Sequence, residues 1–156
     1  MSWHTPERKT EQALQLFFAT VLGYELTGVQ IATRFSNTEL TEPRLEIACE
    51  TCTPYPEGMQ VDTGNWLMGV RISVHSHYES GTDAEAHDEI IGNLLDVLLT
   101  ADSDGNNNTV AQINLTQGEN DFTVQELEVK ERSNRVEEHS LITEQEIEMI
   151  ISPSRL

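Results

Sequence analysis

Residues 65–99, NWLMGVRISVHSHYESGTDAEAHDEIIGNLLDVLL, constrain the fold more than any other stretch, because hydrophobicity changes there from a period of two to a period of about 3.6 across one short polar break. Trp66, Met68, Val70, Ile72 and Val74 alternate with Leu67, Gly69, Arg71, Ser73 and His75, which predicts a strand with one apolar and one mixed face. Ile90, Ile91, Leu94, Leu95 and Leu98 then recur at helical spacing, and Thr82 and Glu85 have the spacing of a capping box at the start of that helix. A sheet with a helix laid over its apolar face is the minimum architecture.

The flanking sequence extends this unit in both directions. Thr5, Pro6 and Glu7 supply an N-cap, a proline at the first helical position and an acid in the first turn. Ala13, Leu14, Phe17, Phe18, Val21 and Leu22 continue one apolar side, and Gly23 ends the helix. Val29 to Phe35 reads as a short strand with Val29, Ile31 and Thr33 on one face. Arg44 to Cys52 is a better one, in which Leu45, Ile47 and Cys49 alternate against charge until Pro54, Pro56 and Gly58 break it. A polar loop to Gly64 makes this strand and the next a long hairpin. After the capped helix, Ala101 to Thr109 is a loop, and Val110 to Leu115 is a strand or a short helix. Phe122 and Val124, then Leu127 and Val129, alternate with a one-residue slip that predicts a β-bulge. Arg132 to Glu138 reads as the turn of a second hairpin. Leu141 to Ile151 reads as its last strand, with Thr143, Gln145, Ile147 and Met149 on one side, a helix being the alternative its glutamates allow. The fold class expected is α+β: a mostly antiparallel sheet of about four or five strands in hairpins, packed by an N-terminal helix and a central amphipathic helix. Residues 1–156 suit one domain, with 1–4 and 152–156 as flexible ends.

Nine Lys plus Arg against 27 Asp plus Glu give a formal charge of -18, with the acids spread along the chain. Such a surface repels duplex DNA. There is no basic N-terminal region leading into an apolar core and no run of about 18 apolar residues, so the expectation is a soluble protein of a reducing cytoplasm, not a secreted or membrane-spanning one.

Three constellations carry metal-ligand or redox chemistry in other proteins. His75 and His77 share a strand face and His87 lies on the next helix, but His87 belongs to the covered side, so the three need not converge, and no carboxylate stands as an obvious general base. Cys49 and Cys52 form a lone C-x-x-C. Prolines follow where a redox helix should begin, and no second pair completes a zinc knuckle; a mixed site with His75 and His77 across adjacent strands stays open beside the plainer reading of two structural thiols. Asp102 to Asn106 resembles a calcium loop, yet Ala111 falls where the bidentate glutamate should be. The nucleotide and nucleophile-elbow signatures are absent. Lys130, Arg132 and Arg135 form a small basic group suited to an acidic partner or to another subunit's glutamates, and equally to a solvated turn.

GNWLMGVRISVHSH followed by AEAHDEIIGNLLDVLL, and the closing HSLITEQEIEMIISPSRL, occur in the order helix, hairpin, capped helix, hairpin. That order resembles the tail-terminator and tail-completion proteins of long-tailed bacteriophages, the lambda-type minor tail proteins, over most of residues 3–153. The resemblance implies a structural virion protein of the tail or neck, assembled in the host cytoplasm. It forms a homo-oligomeric ring, commonly a hexamer, that ends tail-tube polymerisation and presents a surface to the head connector. It implies no enzymatic activity, no cofactor, no metal and no membrane contact. Genomic DNA passes through such a ring without specific binding, and a lumen lined by carboxylates keeps phosphate from sticking. A neck or head-completion protein of the same joint, an acidic DNA mimic that inhibits a nucleic-acid-binding enzyme, and a small His/Cys metalloprotein are the competing readings.

Overall fold

The computed structural model describes residues 5–34, 39–55, 65–99, 109–117 and 122–153. Helix α1 spans Pro6–Val21 and starts as its sequence dictates, with the Thr5 hydroxyl accepting from Arg8 N at 3.2 Å and proline in the first turn. Its buried side is Thr10, Glu11, Ala13, Leu14, Phe17 and Phe18. Leu22 caps its end, and Gly28 at φ +85° turns the chain into β1, Gln30–Thr33. Strands β2, Arg44–Pro54, and β3, Trp66–His77, form the expected long hairpin.

Helix α2 spans Gly81–Leu98, but its capping is shifted from the expected place. Ser80, not Thr82, is the N-cap residue, and the Asp83 carboxylate, not that of Glu85, turns back to accept from Ser80 N at 3.1 Å and Glu79 N at 2.8 Å. The strand ends early enough for the helix to begin two residues sooner, and Asp reaches the free amides as well as Glu does. Val110 to Leu115 lies in a third helix, α3, Thr109–Gln117. The segment 132–138 is also corrected. It is strand, since β4 runs Phe122–Glu137 and only Glu138 and His139 make the turn into β5, Ser140–Pro153. Ser152 and Pro153, expected in a loose end, pair with Thr123 and Phe122.

The sheet order is β1-β2-β3-β5-β4, antiparallel except for the parallel β1–β2 pair. Ile31 pairs with Leu45 and Thr33 with Ile47, which sets the expected face of β1 toward the helices. All three helices share one core with the same sheet face, where Phe17, Phe18, Ile47, Met68, Ile72, Leu94, Leu98, Ile113 and Met149 are fully covered. Two bulges punctuate β4, one between Val124 and Glu126 where the one-residue slip predicts it, and one between Val129 and Arg132. The Asn-rich stretch 102–106, Phe35, and the loop residues Pro56, Gly58 and Gly64 lie outside the described residues.

Candidate functional site: two faces of one sheet

Because side chains alternate along a strand, the residues between the core positions form the opposite face of β2, β3, β5 and β4. That face is bare of helices among the described residues. Register sets it out in rows. Arg44, His75, Ile142 and Arg135 stand side by side across four strands, and the next row holds Glu46, Ser73, Glu144 and Ser133. Arg44 Nε lies 2.7 Å from Glu46 Oε1, and Arg71 Nη1 lies 3.1 Å from Glu144 Oε2. Arg135 bonds Glu144 as well as Glu137, the latter at 2.8 Å. Lys130 Nζ reaches Glu128 at 3.1 Å. Lys130 and Arg135 therefore join this ladder, while Arg132, paired with Gln145 in the other parity, stands on the helix side. A groove of about 860 Å³ opens at the upper end of the ladder, with Arg44, His75 and Arg135 on its walls beside Leu40 and Ile142.

His75 accepts from Arg44 Nη2 through Nδ1 at 3.3 Å and faces Glu46 at 3.5 Å through Nε2. Burial and the adjacent Arg44 charge hold its pKa below the ordinary histidine value, against Glu46 and Glu42, so the ring is neutral at pH 7. His77 points its Nε2 to Glu79 at 3.1 Å.

His87 sits on the other side of the sheet. Its Nδ1 lies 2.7 Å from Ser76 Oγ and its Nε2 lies 2.8 Å from Thr143 Oγ1. Thr143 donates its hydroxyl proton to Asn134 Oδ1 at 2.7 Å, so it accepts from His87 Nε2–H, and Nδ1 accepts from Ser76. Burial lowers the pKa of His87 against the opposing pull of Asp88. The imidazole is thus a neutral pin from α2 to β3 and β5. The sheet separates it from His75 and His77, and no group of three His, Cys, Asp or Glu among the described residues is arranged to hold a metal.

The bulge between Cys49 and Thr51 puts Cys49 opposite Val70 and Cys52 opposite Met68, so both thiols face α1. Without that extra residue a spacing of three would set them on opposite faces. Gly69 sits against the bulge, where a Cβ would strike the Thr51 hydroxyl. Burial pushes both thiols up to about 12, with the Cys52 charge adding to the shift at Cys49 and a hydrogen bond to Glu7 adding to that at Cys52. The pair lies far down β2 from Arg44, the partner of His75, so the mixed Cys49, Cys52, His75, His77 cluster does not form.

Several polar residues escape sequence reading because their partners are distant. Buried Glu11 accepts from Arg34 N at 3.1 Å and Cys49 N at 3.0 Å and lies 3.1 Å from Arg34 Nε, tying the end of β1 and the middle of β2 to α1. Burial raises its pKa against those donors. Gln15 covers the edge of β1 by donating to Ile31 O at 2.9 Å. Asn114 pairs with both backbone groups of Val124 at 2.8 Å each, as a neighbouring strand would. Gln145 fills the second β4 bulge by donating to Lys130 O and Glu131 O. The one sequence signal for them is a polar residue set among core positions of a periodic element. No family model and no curated protein matches this chain.

Proposed function

We propose that the chain is a tail-terminator or tail-completion subunit of a tailed phage. On this reading it is a non-catalytic virion protein whose copies form a ring, six in the expected case, that ends tail-tube polymerisation and joins the tail to the head connector. The observation that carries this reading is the two-sidedness of the subunit. Among the described residues, one sheet face is sealed under three helices, and the other carries no helix but a ladder of acid and base set around the buried Ser73, Ile142 and Ile150. Two unlike faces permit head-to-tail contacts between copies, and such contacts close into a ring when the rotation between neighbours divides the circle. The element order around β3 and α2 supports the same reading. The charge of -18 suits a passage through which DNA slides without adhering.

Native mass measurement with and without tail-tube protein, followed by imaging of the assembly, tests this. The expected result is a closed ring of about six copies, or stacking on tube ends, with carboxylates dominating the lumen. A strictly monomeric chain indifferent to tube, or a lumen dominated by Lys and Arg, overturns it. Stacking on the connector instead of the tube marks the neck or head-completion variant of the same joint.

A further inference from the structure

The two edges of the sheet are treated unequally. Tyr78 N donates to His139 O at 2.7 Å, so β5 directs its odd-numbered backbone groups to β3 and its even-numbered groups to β4. The residues of β4 opposite the odd positions therefore turn their N–H and C=O away from the sheet: Val124, Leu127, Val129, Arg132, Asn134 and Val136. Asn114 occupies those of Val124, which agrees with this parity. From Leu127 to Val136 no helix or side chain among the described residues caps the outward groups, whereas β1 is only four residues long and Gln15 covers its centre. An open edge of this length is a template for another strand.

We propose that the strand it takes is β4 of a second copy, antiparallel about a two-fold axis at the Lys130–Glu131 bulge. Counting the bulge as one position, Leu127 pairs with Asn134 of the second copy and Val129 with Arg132, giving about eight intermolecular backbone hydrogen bonds. Faces match in this register because the bulge reverses the parity of both strands. On the bare face Glu126 meets Arg135 of the second copy, Glu128 meets Ser133, and the Lys130–Glu131 bulges meet each other, so opposite charges are neighbours. Moved one step toward the hairpin tip, the register would set Arg132 against Arg132, and moved the other way it would lose the Glu126–Arg135 pair. Beyond the last pair, Val136 of the second copy, 57% exposed in the single subunit, comes opposite the Val124–Glu126 bulge, where a groove of about 700 Å³ runs around the β4 edge from Val110 and Ala111 of α3 to Glu126 and Ile150 of the other face. The pair leaves α1, α2 and the central strands of the bare face free, so its failure and the failure of the ring are distinguishable.

Sedimentation of the full chain over a wide concentration range tests the pairing. The expected result is a monomer–dimer equilibrium in which the amides of Leu127, Val129, Arg132 and Asn134 gain exchange protection with concentration. Asn134→Pro removes an outward N–H that the β4–β5 ladder does not use and shifts the equilibrium toward monomer by at least about tenfold. Asn134→Ala keeps the N–H and dimerises as the parent does. Glu126→Arg weakens the dimer and adding Arg135→Glu restores it. A parent chain that stays monomeric throughout, or a dimer equally strong in Asn134→Pro and Glu126→Arg, overturns the proposal; a ring that still forms on tube ends with Asn134→Pro leaves the functional reading intact.

Discussion

The covered and bare faces of the central strands belong to the same residues taken alternately, yet they are held together by different physics. On the covered face of β3 and β5, Val74, Ile72, Val70 and Met68 are dry, and each polar group there, Ser76, Thr143 or Gln145, has a fixed partner. On the bare face Arg71 is 38% exposed and its ion pairs reach Glu50 and Glu144 at the surface instead of being sealed by a helix. Burial is therefore where stability is made, while the ion-pair ladder sets what the surface recognises.

The sharpest way to break this contrast is to cut into each side. Phe17→Ala opens a void at a fully buried site between α1 and β2 and is expected to cost about 3–5 kcal/mol in denaturant unfolding. His87→Gln tests a polar element of the covered face and costs about 1–2 kcal/mol at pH 7. The sign with pH follows from the lowered pKa: folding favours the neutral ring, so the stability it confers is complete above the unfolded value of 6.5 and declines as pH falls below it toward the folded value. Unfolding of the variant followed against pH should accordingly show a flatter acid side than the parent, and equal slopes would remove His87 from the account. Smallest of the three, Arg71→Ala on the bare face should cost less than about 1 kcal/mol, and a larger loss would mean the ladder carries stability after all.

Periodicity made α1, β2, β3 and the second half of α2 legible, because each buries one face and so writes its period into the sequence. The outer part of β4 was not legible. RSNRVE has no buried face to declare, since its strand conformation comes from pairing with β5, while both of its faces meet water. Nor was α3, whose helicity rests on fully buried Ile113 and on Asn114 gripping a strand ten residues away. At the candidate site, the sequence separated His87 from His75 and His77 correctly by face. It gave no sign of Ser76 and Thr143 as partners, because Thr143 is 56 residues distant. The shift of the α2 cap by two residues shows how little separates neighbouring S/T-x-x-D/E pairs until the end of the preceding strand is known.

The bulge that turns Cys49 and Cys52 to the same side also supplies the protein with an internal clock. Both thiols remain protonated beneath α1 at neutral pH, so alkylating reagents meet no thiolate while that helix is seated. The rate at which the fully buried Cys49 sulfur takes up such a reagent would report how often α1 lifts from β2, a quantity that bulk unfolding averages away.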